Sequence, residues 1–174
     1  RNVTGVQTCA LPIWPYQHRI AAEITSPVPS ASIELPAAAV FVFDSSLSMA
    51  YTQEGETRLD VARRIANAHL SSLPSRSRVA VGDTSSTEPI LFQADISTAK
   101  ARMDSLKTTA RSYSLNDRLR SALVTQEDDR QRTFDGQGTV AENARSDRYV
   151  REVYLFTDLA RSAWSKNEIG RAHV

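Results

Sequence analysis

Asp44, Ser46 and Ser48 fall at alternate positions in Asp44-Ser45-Ser46-Leu47-Ser48, one carboxylate followed by two hydroxyls. Oxygen donors of this kind converging from one short loop suit a hard divalent cation, which prefers oxygen ligands and, for Mg²⁺, keeps several waters. The same residue types also serve as plain helix caps, their side-chain oxygens accepting backbone N–H groups. What raises the triplet above a cap is the run in front of it, Val40-Phe41-Val42-Phe43. Four consecutive apolar residues without alternation read as a strand covered on both faces, as in a parallel sheet. Ligands of open α/β sheets bind outside the carboxyl ends of the strands, which is where Asp44 falls. A second apolar run, Val153-Tyr154-Leu155-Phe156, also ends at a carboxylate, in Thr157-Asp158. With both runs as parallel strands of one sheet, Asp44 and Asp158 share an edge. Asp83 follows a third strand-like run, Arg78 to Val81, in Gly82-Asp83-Thr84, where a turn or cap is the expected role.

The elements that must hold these carboxylates alternate along the chain. Met49 to Glu56 reads as a polar crossover. Thr57 with Asp60 three residues later is a capping-box start, and Leu59, Ala62, Ile65, Ala66, Leu70 and Leu73 keep helical spacing until Pro74 closes the run. His69, at the edge of that stripe and with no second histidine nearby, reads as half-buried packing. Pro89 to Phe92 is expected as a short edge strand, since proline cannot donate to a ladder. Ile96, Ala99, Met103 and Leu106 mark a second helix capped by Asp95 or Ser97, and Met103 belongs to its core stripe. Leu115, Leu119, Ala122 and Leu123 mark a third. Gln126 to Arg148 is dominated by charge and reads as a solvated helix extension and surface loop without chemistry. Strands alternating with helices predict an α/β fold, a doubly wound, mainly parallel sheet with helices on both faces.

The termini bear on composition. Thr8 to Ile13 and Ile169 to Val174 can be back-translated into reverse complements of each other, apart from a one-base offset at each end, and that DNA resembles a sequencing adapter. Arg1 to Ile13 and Glu168 to Val174 are therefore expected to be scars. Trp14 to Pro36, interrupted by Pro15, Pro27, Pro29 and Pro36, reads as a lead-in linker, leaving 37–167 as a partial domain of a longer reading frame. Setting the scars aside takes Arg1 and Arg171 from 21 basic residues and Glu168 from 20 acidic ones, leaving 19 of each. That balance gives no argument for nucleic acid or an anionic membrane. Cys9 is the only cysteine and lies in a scar; His18 and His69 are the histidines left, too few for a multi-histidine zinc site. No apolar run approaches the roughly 20 residues of a membrane span.

From about Val40 to Asp158 the chain resembles a von Willebrand factor A domain. The likeness is carried by Asp44-x-Ser46-x-Ser48 after an apolar strand and by Phe156-Thr157-Asp158 at the end of a later one. It implies a metal-ion-dependent adhesion site holding Mg²⁺ (or Mn²⁺), with Asp44, Ser46 and Ser48 as first-loop ligands and Asp158 as a direct or water-bridged ligand. The family also supplies a threonine from the loop before the third helix. Here that loop reads Ser112-Tyr113-Ser114-Leu115-Asn116-Asp117, where Ser114 or Ser112 could lend a hydroxyl instead. The stretches Val-Phe-Asp-Ser-Ser-Leu-Ser-Met, Ser-Leu-Asn-Asp-Arg-Leu and Val-Tyr-Leu-Phe-Thr-Asp-Leu-Ala-Arg-Ser-Ala-Trp further resemble bacterial Bat-type, aerotolerance-associated members. That likeness implies a membrane-tethered domain facing away from the cytoplasm, with spans outside this chain and a protein as partner. The leading expectation is a non-enzymatic binding module whose Mg²⁺ is completed by a partner's carboxylate. A metal-free scaffold is the alternative. A phosphohydrolase of the haloacid dehalogenase type is disfavoured, because its acid–base carboxylate would stand where Ser46 is.

Overall fold

The computed structural model describes residues 35–135 and 147–164. The two expected scars, most of the lead-in and the glycine-containing part of the charged run lie outside the described residues.

A three-stranded parallel sheet carries the fold. Its centre is β1 (Ala37–Phe43), buried along its whole length. It pairs on one side with β4 (Arg78–Asp83) and on the other with β5 (Val150–Phe156), so Phe43 is level with both Asp83 and Phe156. The unbroken apolar run follows from cover on both faces. Phe41 and Phe43 point into a core with Leu59, Ala62, Ala66 and Leu70 of α1 (Arg58–Ser72) and Ala99 and Met103 of α2 (Ile96–Asp104). Val40 and Val42 point the other way, into a core with Leu115 and Ala122 of α3 (Leu115–Asp135). The chain therefore leaves β1 toward β4 on one side and returns through α3 to β5 on the other. The doubly wound α/β class is the observed one, and the strand order switches direction at the carboxyl end of β1.

Aromatic packing fixes β1 against β5. The Phe41 ring meets Tyr154 edge-on at 5.1 Å between centroids, and Phe43 stacks on Phe156 at 4.6 Å. Met103 is fully buried, and His69 is half-buried with its ring 5.1 Å from Tyr154, both as expected.

Two local expectations need correction. Pro89 to Phe92 is not a strand: only Phe92 makes one antiparallel bridge, to Ala80. The α3 side chains hold the segment instead, Arg118 donating to Glu88 C=O just before it and Thr125 to Ile90 C=O within it, while Ile90 sinks into the core. The polar crossover is more ordered than its composition suggested. It forms a 3₁₀ turn at Leu47–Ala50 and a hairpin of β2 (Thr52–Gln53) and β3 (Glu56–Thr57). Glu54 and Gly55 between them sit at φ 53° and 86°, the paired positive values that a tight two-residue hairpin turn demands.

Candidate functional site

The register of the sheet builds the site. Because Phe43, Asp83 and Phe156 are level, the next residue of each strand, Asp44, Thr84 and Thr157, meets at the same edge. Asp44 N–H donates to Phe156 C=O at 2.8 Å, and Thr84 N–H to Phe43 C=O at 3.1 Å. All three residues are buried. The Asp44 carboxylate, 0 % exposed, accepts the Ser46 N–H on Oδ1 at 2.9 Å and the Thr157 hydroxyl on Oδ2 at 3.0 Å. No basic side chain pairs with it among the described residues. Ser46 and Ser48 turn their hydroxyls to each other at 3.0 Å. Thr84 Oγ1 accepts the Ser45 N–H at 2.9 Å and bonds the Ser45 hydroxyl, holding the first loop from the β4 side.

Asp158, one residue past Thr157, is joined to this group through Arg58, the first residue of α1. Arg58 Nη1 donates to Asp158 Oδ2 at 2.5 Å and makes a longer contact of 3.4 Å with the Ser48 carbonyl. The other Asp158 oxygen accepts the Ala160 N–H at 3.0 Å. With the peptide bond between Thr157 and Asp158, these contacts close a ring from Asp44 to Ser46, Ser48, Arg58, Asp158, Thr157 and back to Asp44. Asp44, Ser46, Ser48 and Asp158 are brought together by it.

Ser114 plays a different part in the geometry. Its hydroxyl accepts the Asn116 N–H at 3.2 Å and its carbonyl accepts the Arg118 N–H, so it starts α3. The residue of the α2–α3 connection that is bonded to the first loop is Thr109, whose N–H donates to Ser45 C=O at 2.8 Å. Asp83 makes the expected turn, its Oδ1 accepting both the Ser85 N–H and hydroxyl. Thr157, Thr84 and Arg58 were not singled out from sequence. The two threonines could have been found as the residues following the ends of parallel strands in register with Asp44. Arg58 carried no such signal, because its tie to Asp158 spans 100 positions.

A family model for the von Willebrand factor type A domain matches residues 39–160. The chain belongs to the von Willebrand factor type A family. No curated protein matches it. The matched span runs from within β1 to just beyond Asp158, so it encloses the whole ring of contacts. Von Willebrand factor A domains serve generally in protein–protein interaction rather than catalysis. Among the described residues no helix is long and apolar enough to cross a membrane.

The fit of this domain's site to a divalent cation can be judged from its donors. Among the described residues no group of three or more carboxylate, imidazole or thiol side chains gathers, so any cation here leans on hydroxyls. Asp44 supplies the feature that favours one. A buried carboxylate met only by an amide and a hydroxyl has given up its hydration without gaining a counter-charge, which is costly unless a cation completes it. Around this polar centre stand exposed apolar residues of the same loops: Leu47, Tyr51 and Leu159. Leu159 also holds φ 60°, a left-handed conformation costly for a residue with a branched side chain.

Proposed function

We propose that the domain binds a protein partner at the carboxyl edge of its sheet through a divalent cation, Mg²⁺ or Mn²⁺, held by Asp44, Ser46 and Ser48. The observation that carries this reading is the buried Asp44 carboxylate with only neutral donors around it. Asp158 would join as a further ligand, directly or through water. Thr157 would orient Asp44. Ser114 remains a proposed hydroxyl donor from the α2–α3 side, although capping α3 engages it. The bound cation would supply an open coordination position for a partner's carboxylate, and Leu47, Tyr51 and Leu159 would add apolar contact around it. A polar centre rimmed by exposed apolar side chains suits a docking surface. The likeness to Bat-type proteins supports a bacterial, membrane-tethered placement on the far side of the membrane from the cytoplasm.

Melting the chain with and without added metal tests the reading. A ligand that binds only the native state raises its stability by RT ln(1 + [L]/Kd), about 2.7 kcal/mol at a hundredfold excess over Kd. Wild type is expected to gain stability with Mg²⁺ or Mn²⁺, and Asp44→Asn to lose the gain while still folding. No gain in wild type, or an equal gain in Asp44→Asn, would leave a metal-free scaffold.

A further inference from the structure

The ring around Asp44 contains one cation of the protein's own. Arg58 occupies the first position of α1, where a positive side chain meets the positive end of the helix dipole and acidic residues are the favoured neighbours. Its guanidinium nevertheless turns to the sheet edge. It pairs with Asp158, whose side chain is 5 % exposed, and it lies 4.8 Å from the centroid of the Tyr51 ring. The tie is incomplete, since Arg58 Nε is buried without a hydrogen-bond partner. The guanidinium is thus well placed to hold Asp158 but not fully satisfied in doing so.

Both Asp158 oxygens are engaged, Oδ2 by Arg58 and Oδ1 by the Ala160 N–H. A cation at Asp44, Ser46 and Ser48 that also took Oδ2 would have to displace the guanidinium. One that left the pair intact would bind beside a fixed positive charge. Either course weakens metal binding relative to a site without Arg58, because the two cations seek the same negative charge at close range.

We propose that Arg58 is a tethered competitor of the divalent cation, a positioning residue that holds Asp158 in the metal-free domain and sets how tightly metal binds. This rests on the metal-dependent reading above. With metal bound, the displaced guanidinium stays at the rim beside Tyr51, where its charge favours an acidic side chain of the partner. Arg58 would therefore tune affinity at the site and help select the partner.

The test titrates the full chain with Mn²⁺ alone, reading free Mn²⁺ by electron paramagnetic resonance. Arg58→Gln is expected to bind Mn²⁺ about tenfold more tightly than wild type, as the loss of one nearby positive charge predicts. Arg58→Lys, which keeps the charge, should stay close to wild type. Equal or weaker binding in Arg58→Gln, with wild type binding normally, overturns the competitor and leaves the metal reading standing. No Mn²⁺ bound by wild type or Arg58→Gln overturns both. Binding by Arg58→Gln alone supports both. Should Arg58→Gln fail to fold, the Arg58 side-chain Nε–H resonance of wild type, assigned through Arg58→Lys, decides. It is expected to shift under saturating Mg²⁺, and a resonance that does not move overturns the proposal.

Discussion

Asp44 depends on Thr157 as much as on its own loop. The Thr157 hydroxyl donates to Asp44 Oδ2 while accepting the Leu159 N–H, so one small side chain orients the carboxylate and starts the turn beyond Asp158. Thr157→Val keeps the shape and removes both bonds. Leaving a buried acceptor unmet costs about 1–3 kcal/mol, so the variant should melt lower by that order and bind metal more weakly than wild type. A Thr157→Val protein with unchanged stability and metal response would show that Asp44 is held by its loop alone. The positions of the triplet and Asp158 at one sheet edge were legible in sequence because Asp44 directly follows one recognisable apolar run and Asp158 lies one residue beyond another. Thr157 and Thr84 were not, since a threonine at a strand end has several bland uses and only register shows which residue lies beside Asp44. The Ser114 hydroxyl illustrates the same limit. A hydroxyl at the start of a helix serves the cap wherever the backbone offers an unpaired N–H, and here Asn116 does.

The element that delivers Arg58 to the site is α1, and its start is fixed by a capping box. The Thr57 hydroxyl accepts the Asp60 N–H at 3.1 Å, and the Asp60 carboxylate reaches back to the Thr57 N–H at 3.3 Å. This pairing was readable from Thr57 and Asp60 alone, because its spacing is local. The hairpin in front of it was not, since Glu54-Gly55 is a weaker turn signal than Asn-Gly or Asp-Gly and the flanking residues are polar. Hydrogen bonding from Thr57, chiefly its hydroxyl, holds the Asp60 carboxyl below its ordinary value against the opposing effect of burial, with Arg63 assisting. A carboxyl lowered by folding stabilises the native state above its unfolded pKa, near 4, and that contribution is lost as pH falls through its folded value. Thr57→Ala should therefore cost about 1 kcal/mol near neutral pH, a usual figure for a lost cap. Its deficit should shrink in acid, once Asp60 is protonated in both proteins. Melting curves from neutral pH down to about 2 check this, and a deficit that does not change with pH would assign the loss to the Thr57 hydroxyl alone.

Across the whole molecule, the sheet carries polar networks at both ends, and only one of them was foreseen. At the end opposite Asp44 the charged part of α3 turns inward. Asp129, 5 % exposed, takes both Arg78 and Arg151, and Arg151 also holds Asp147 at 2.7 Å. Gln126 donates to the carbonyls of Ala38 and Glu152, tying β1 to β5. This stretch was expected to be solvated, because charge density in a sequence does not reveal which carboxylate faces two arginines. Burial works against the charge of Arg151, but its bonds to Asp147 and Asp129 outweigh that and raise its pKa. Removing one partner of such a network leaves buried charge uncompensated, at about 3–5 kcal/mol for a fully buried pair. Arg78 is partly exposed and water can reach it, so Asp129→Ala should cost about 3 kcal/mol, the low end of that range. Seven residues of β1 at about 3.3 Å each separate the two ends by roughly 20 Å, beyond the distance at which substitutions usually interact. Asp129→Ala should therefore lower the denaturation midpoint and yet gain the same free energy from saturating Mg²⁺ as wild type, since that gain depends only on Kd at the other end. Parallel urea titrations with and without Mg²⁺ measure both quantities. A smaller Mg²⁺ increment in the variant would mean that the network sets the alignment of β1 with β5, and through it the meeting of Asp44 with Thr157.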